Sequence, residues 1–458
     1  MGNQTNQGAD ASHFSLSSYL QCPKCGCEQL IENTTSIDCG QCYQSYPLLE
    51  FSNISIPFIF SDVNAAIHAW CARINGFKSK IEQEIETISQ QSKDKKNSKL
   101  TRERLKCLAK QKKQYNRQII DHVKCFEKFS LEEYVHSGNE VAKNQGVDSY
   151  INNIFRDWCW NNGENEELLE SASDVVQHDY QAGHVLTLGS GASRFSYDFH
   201  SRYHAKHSVL LDINPVLLGF AAKVINGSTI VLNEFPVAPL STKDYAVEHQ
   251  CSADNAKQHE FSFLLSDALD APLAQKHFDT VLTPWVIDII PMNFKDFIPQ
   301  VNRLLKVGGL WVNTGSLAFF HSDQQWNYSQ EEVLDLLKKY GFSDIQISRR
   351  KINYLNSPHS AHGRIENVFS FSAKKKFDSF PSKKFNYLPD WINDCNESVP
   401  NQAALMAASS KHLLQAQVLS AIDGERSIIE ISELLARQYD MSHDSATAAV
   451  RQILIDNL

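Results

Sequence analysis

The 458-residue sequence predicts an α/β protein built on a largely parallel sheet, and three observations carry that expectation. Between about residues 148 and 376, short apolar runs alternate with amphipathic helical runs; the strand candidates are HVLTL, HSVLL, FSFLL, FDTVLT and GLWVNT, each followed by a turn signal or a helix start. A turn with two glycines, Gly189-Ser190-Gly191, follows the first run, and the next two runs lead into aspartates, Asp212 and Asp267. A composition of 42% hydrophobic and 21% charged residues supplies a large core and excludes disordered and collagen-like chains. The net charge of −9 argues against whole-chain binding to phosphate backbones or anionic lipid, so a small or polar ligand fits better.

Four regions separate by composition. Residues 1–61 are cysteine-rich with short β-type runs. Residues 62–147 turn helical and polar, with KIEQEIETISQQ and LTRERLKCLAKQKKQYNRQIIDHVKCF flanking SKDKKNSK, which predicts a helical hairpin with a basic surface. That surface is either a plain solvated face or a contact for RNA or an acidic partner. Residues 148–376 form the expected catalytic domain, residues 377–399 a linker, and residues 400–458 a small helical domain. In that last region Ser427 with Glu430 three residues on reads as a capping box after the Asp423-Gly424 turn. No stretch reaches 18 consecutive apolar residues, and the first twenty residues lack a basic and then apolar leader pattern, so no membrane contact is expected. Eleven cysteines, four of them in two C-x-x-C pairs and most others scattered singly, read as a reduced compartment, the cytoplasm by default, with one metal site.

That metal site is Cys22-x-x-Cys25 and Cys39-x-x-Cys42, thirteen residues apart. Each pair can fold as a knuckle presenting two thiolates, and two facing knuckles give the S₄ shell that zinc prefers. Four thiolates leave no open position, so the expected zinc is structural. The following CYQSYPLLEFSNISIPFIF resembles the Trm112-like zinc ribbons, which serve as activators or appendages of methyltransferases.

In the third region, glycines at the first and third loop positions let the backbone turn sharply toward a ligand at a helix start. Asp212, twenty-one residues after Gly191, is placed to accept ribose hydroxyls. With Leu264-Leu-Ser-Asp267-Ala268, Phe278-Asp279-Thr-Val-Leu-Thr283-Pro284-Trp285 and Leu304-Leu-Lys-Val-Gly308-Gly309, the order resembles class I S-adenosylmethionine-dependent methyltransferases, with Val307 in the usual proline's place. The resemblance implies a Rossmann-like seven-stranded sheet. Phe155-Arg156-Asp157-Trp158, followed by Gly163 and Glu166, together with Ile287-Asp288 and the run from Leu304 to His321 (LLKVGGLWVNTGSLAFFH), resembles the carnosine N-methyltransferase family.

This resemblance implies S-adenosylmethionine in a pocket formed by Asn153, Arg156, Gly189, Ser190, Gly191, Asp212, Asp267, Ala268 and Thr283. Within it, Arg156 would meet the methionine carboxylate and Asp267 would face the adenine. Asp288 would contact an acceptor imidazole, with His321 close by. Left to the residues alone, Arg156 could equally pair with Glu164 or Glu166, Asp288 could cap a helix, and His321 could be structural. The family's tyrosines near the last strand are absent from Ser360–Phe369, a departure that counts against carnosine itself as the acceptor. The C-terminal region resembles winged-helix or PqqD-like units without wing strands. The expected activity is N-methylation of an imidazole in a histidine-containing small molecule or peptide, and the competing readings are a tRNA or protein methyltransferase and a non-catalytic binding protein that keeps the fold. The basic hairpin and the C-terminal helices are the candidate surfaces for peptide or RNA.

Overall fold

The computed structural model describes residues 15–129, 145–257, 259–321, 323–382, 384–385, 387, 398 and 403–456. The chain divides into two compact units, residues 1–387 and 388–458, and the ribbon, the hairpin and the sheet all fall in the first.

The ribbon is a four-stranded antiparallel sheet of β1 (Leu30–Glu32), β2 (Ser36–Cys39), β3 (Ser45–Phe51) and β4 (Ile54–Pro57), in sequential order. Just past β4, Phe58 pairs in parallel with Leu265, Ile59 N donates to Leu265 O at 3.0 Å, and Ser266 Oγ donates to Ile59 O at 2.6 Å. The ribbon thereby lies along the edge of the large sheet and shares its apolar core.

The hairpin consists of α1 (Val63–Gln91) and α2 (Lys99–His122), whose first turns are capped by the side chains of Asp62 and Ser98. Ile88 of α1 packs with Leu105 and Ala109 of α2. Part of the basic surface of α2 faces inward: Arg104 lies 4.5 Å over the Tyr245 ring, Lys112 4.6 Å over Phe235, and Gln114 donates to Glu248 at 2.7 Å.

Next come α3 (Asn152–Trp158), α4 (Glu164–Ser173), β5 (His184–Leu188), α5 (Arg194–Arg202), β6 (His207–Asp212), α6 (Pro215–Ile225), β7 (Ile230–Glu234) and β8 (Val247–Cys251). They are followed by β9 (Phe261–Leu265), β10 (Phe278–Pro284), α7 (Phe294–Leu304), β11 (Leu305–Thr314), α8 (Gln330–Lys339), β12 (Phe342–Tyr354) and β13 (Arg364–Lys375). All five strand candidates read from the sequence are strands. The main sheet has the order β12-β13-β11-β10-β5-β6-β9; neighbours from β11 to β9 are parallel, and β13 runs antiparallel to both β11 and β12. Every residue of β6 is buried, as a parallel strand covered on both faces requires. The strand order reverses between β5 and β10, the place where open α/β sheets leave a ligand crevice at the carboxyl ends of their strands. β7 and β8 form a separate antiparallel pair inserted between α6 and β9.

Two of the cysteines that the sequence reads as scattered singly are paired. Cys159, the residue after α3, and Cys251, the last of β8, form a disulfide across 92 residues of sequence. Their pairing depends on the β7–β8 insertion folding back onto α3, which no local spacing encodes. The second unit contains α9 (Ala403–Ser420), α10 (Ile428–Tyr439) and α11 (His443–Asp456) around Val418, Ile431, Leu435, Ala446 and Val450. The capping box of Ser427 and Glu430 is formed, and no strand occurs among the described residues of this unit. Among the described residues no helix is long and apolar enough to cross a membrane.

Candidate cofactor and acceptor site

The four cysteine sulfurs converge. Cys22, Cys25, Cys39 and Cys42 present Sγ atoms all within 4.8 Å of one another, with Cys22–Cys42 at 3.7 Å and Cys25–Cys39 at 3.5 Å. Tetrahedral zinc with Zn–S of about 2.3 Å needs sulfurs about 3.8 Å apart, so the donor set fits a structural zinc. Gly26 at φ +76° permits the first knuckle's turn, in which Gly26 N donates to Cys22 O at 2.8 Å. Cys27 stays outside the cluster, where its sulfur accepts from Gln29 N at 3.3 Å.

At the carboxyl end of β5, Gly189 (φ +64°) and Gly191 (φ +56°) turn the chain into α5. A Cβ on Gly189 would come within 2.4 Å of Val286, so glycine is needed for packing; a Cβ on Gly191 would meet nothing within 4 Å and faces open space. Gly191 N donates to Asp212 Oδ2 at 2.7 Å, and Asp212 Oδ1 accepts from Asn214 N at 2.8 Å. Burial holds the Asp212 carboxyl above its usual range, partly offset by the backbone amides of Asn214, Gly191 and Ile213. Ser190 Oγ is buried and has no hydrogen-bond partner.

Asp267 and Ala268 follow β9. Asp267 Oδ1 accepts from Leu269 N at 2.9 Å and Oδ2 from the Tyr387 hydroxyl at 2.7 Å, while burial pushes the carboxyl up to about 6. Thr283 departs from its expected role. Its side chain is fully buried between β10 and β11, donating to Asn313 Oδ1 at 2.9 Å and accepting from Trp311 Nε1 at 2.9 Å, so its hydroxyl is spent inside the sheet.

The segment around α3 grips the glycine loop. Trp158 Nε1 donates to Ala192 O at 2.8 Å, and Asp157 Oδ2 accepts from Arg194 N, the first residue of α5, at 3.2 Å. Arg156 is buried, not on a helix surface; it pairs with Asp157 at 2.7 Å and faces Glu164 at 3.8 Å through Nε and Nη2. These carboxylates outweigh the burial that would lower its pKa, so the guanidinium stays charged. Asn153 Oδ1 is buried and has no hydrogen-bond partner.

Beyond β10 lies the acceptor side. Trp285 takes φ +54° and donates its N–H to Thr314 O at 2.9 Å, and Gly315 lies so close that a Cβ there would sit 3.0 Å from the Trp285 backbone. Asp288 Oδ2 accepts from Ala318 N at 3.3 Å, and the carboxyl group also accepts from the Ser316 hydroxyl; burial raises its pKa, and the nearby Glu366 carboxylate adds to the rise. Asp288 therefore does not simply cap a helix but is joined to the 315–321 segment. His321 ends that segment with Nε2 buried and unpartnered, its ring 5.2 Å from Trp326.

Sequence reasoning passed over Tyr354, whose ring meets Trp285 at 4.5 Å beneath the Arg364 guanidinium, itself 4.4 Å from the ring centre. Its signal was its place at the end of a long strand. Also unread was a polar cluster around the insertion: the buried Glu234 accepts from His249 Nε2 at 2.6 Å and from Trp160 Nε1 at 3.0 Å, and the half-exposed His359 pairs with Asp244 at 2.8 Å.

A sheet in this order, parallel except for β13, with a glycine loop after its first strand and carboxylates at the ends of the second and third, is the fold of a class I methyltransferase. Residues 234–376 match the carnosine N-methyltransferase family. A carnosine N-methyltransferase from Dictyostelium discoideum is 22% identical over 199 residues, which is 40% of this chain and 42% of the relative's length. Among solved structures, Haemonchus contortus phosphoethanolamine N-methyltransferase 2 in complex with S-adenosyl-L-methionine is similar over 49% of this chain and 55% of its own, at 15% identity and a TM-score of 0.31. The N-methyltransferase NodS from Bradyrhizobium japonicum is similar over 47% of this chain and 99% of its own, at 14% identity and a TM-score of 0.33.

Proposed function

We propose that the chain is an S-adenosylmethionine-dependent N-methyltransferase whose acceptor is an imidazole nitrogen of a histidine-containing small molecule or peptide. The cofactor part is supported by the fit of the pocket: a buried carboxylate at the end of β6 and a half-buried one after β9, a glycine position open to a ligand, and the unpartnered buried oxygens of Asn153 and Ser190. The observation that carries the acceptor part is Asp288, a carboxyl raised above its usual range by burial and held by Ser316 and Ala318 beside the carboxyl end of β10.

The cofactor supplies an electrophilic methyl group; the chain's work is alignment, exclusion of water and handling of one proton. An imidazole with its ordinary pKa of about 6.5 offers one nitrogen lone pair near neutral pH. In this reading Asp288 accepts the opposite N–H, fixing the tautomer, and stabilises the positive charge that grows on the ring as the new N–C bond forms. A carboxylate with a raised pKa is also the stronger base, so Asp288 Oδ is the atom that receives the ring proton before it passes to solvent. Trp285 and Tyr354 supply apolar walls, and His321 Nε2 a polar contact for the acceptor.

The purified full chain, incubated with methyl-labelled cofactor and a panel of imidazole compounds, histidine peptides, proteins and RNA, tests the reading. Label on an imidazole compound supports it; label confined to RNA, or to proteins at residues other than histidine, contradicts it.

A further inference from the structure

Tyr387 lies eleven residues beyond the end of the family match at residue 376, and it reaches the cofactor pocket from outside the sheet. The chain leaves β13 anchored at several points. Lys375 Nζ donates to Asn302 O at 2.7 Å and Leu305 O at 2.8 Å, Ser379 N donates to Asn302 Oδ1 at 2.9 Å, and Lys384 Nζ meets Asp270 at 3.2 Å and the carbonyl of Pro23 at 2.7 Å. At the end of this path the Tyr387 hydroxyl donates to Asp267 Oδ2 at 2.7 Å, with the Phe385 ring edge-on at 4.8 Å. Burial and the adjacent carboxylate hold the Tyr387 phenol far above its usual pKa, so it serves as a donor throughout the working pH range.

We propose that Tyr387 is a positioning residue of the cofactor site: its hydroxyl fixes Asp267 as an ionised acceptor, and so makes the pocket select a 6-aminopurine over a 6-oxopurine nucleoside. The proposal rests on the methyltransferase reading and names what that reading leaves open, the group that sets the state of the adenine-side acid. Asp267 lies deep enough that burial favours its neutral form, Asp270 pushes in the same direction, and the hydrogen bonds from Leu269 N and Tyr387 push back. An ionised carboxylate accepts from the amino group of adenine and repels the oxygen of hypoxanthine. A protonated carboxyl can donate to that oxygen instead. Without the Tyr387 hydroxyl the neutral form becomes more accessible and the distinction between the two purines shrinks.

The test uses the full chain and isothermal titration calorimetry with S-adenosylhomocysteine and S-inosylhomocysteine. The wild type should prefer the adenosyl ligand by about a hundredfold, since a site built to pair with a hydrogen-bond donor rejects an analogue that lacks it. Tyr387→Phe should narrow that ratio by about tenfold, the size of one hydrogen bond to a charged group. Tyr387→Leu, which also lacks the hydroxyl, gives a second reading of the ratio should the phenylalanine variant fold poorly. Lys276→Ala, which removes the 2.7 Å contact with Asp378 on the same path and leaves Asp267 and Asp270 in place, should leave the ratio unaltered. A ratio unchanged in the Tyr387 variants, or narrowed equally in Lys276→Ala, overturns the assignment. Wild-type protein that binds neither nucleoside overturns the methyltransferase reading itself, so the two failures are distinct.

Discussion

Asp288 carries the chemistry in this account, and its substitution separates chemistry from binding. Asp288→Ala should lower turnover by about 10²-fold or more, as loss of a positioned charge-stabilising group does, while leaving affinity for S-adenosylhomocysteine near the wild-type value. Asp288→Asn keeps an acceptor for Ala318 N and should bind acceptor better than the alanine variant, yet turn over slowly for lack of charge. Steady-state kinetics with calorimetry checks both. Asp267 gives a pH signature. Its carboxyl sits at about 6 in the folded chain, against an ordinary value near 3.9, because burial disfavours the charged form. Below about pH 6 it is protonated and cannot accept the adenine amino group. Affinity for S-adenosylhomocysteine should therefore rise from pH 5 to pH 7, with proton release on binding near pH 6; calorimetry in buffers of different ionisation enthalpy reads that release, and a flat profile contradicts the assignment. The folding contribution has the opposite slope: with the folded value raised, the group stabilises the ligand-free protein most below its unfolded pKa, and that stability is lost as pH rises through about 6.

At the scale of elements, the five central strands, the glycine turn and the two carboxylates after β6 and β9 were legible in the sequence, because each depends on a local pattern: an apolar run, a positive-φ glycine, an acid after a strand. The four-cysteine cluster was legible for the same reason. What could not be read depends on contacts between distant segments. Tyr354 meets Trp285 across 69 residues, Tyr387 meets Asp267 across 120, and Cys159 meets Cys251 across 92. Thr283 was misread because its hydroxyl's partners, Trp311 and Asn313, are known only once β11 lies beside β10. The disulfide ties the residue after α3, next to Trp158 and its hold on the glycine loop, to the inserted β7–β8 pair. Alkylation of the unreduced protein followed by peptide mapping should recover Cys159 and Cys251 as one linked pair; both residues recovered alkylated would show that the bond is absent.

For the first compact unit as a whole, the ribbon and the sheet share one core, so the metal site and the cofactor site are mechanically joined. The segment after β4 pairs with Leu265, two residues before Asp267, and Ser266 donates to Ile59 O. The knuckle carbonyl of Pro23 is held by Lys384, three residues from Tyr387. Stripping zinc with a strong chelator should lower the melting temperature and also weaken S-adenosylhomocysteine binding, because the loosened ribbon no longer supports the strand end that presents Asp267. Melting with cofactor affinity unaltered would mean the ribbon is an independent appendage.

On the proposed function, the methyl group goes to a ring nitrogen of an imidazole. The direct measurement is to react the full chain with S-adenosylmethionine carrying a ¹³C methyl, isolate the product of the best imidazole acceptor, and locate the label by tandem mass spectrometry and long-range proton–carbon NMR. The expected product carries one added methyl, with the label coupled to ring protons through a ring nitrogen, and Asp288→Ala should yield about a hundredth as much or less over the same time. Label on an amine, a carboxylate or a ring carbon, or undiminished ring methylation by Asp288→Ala, would contradict it.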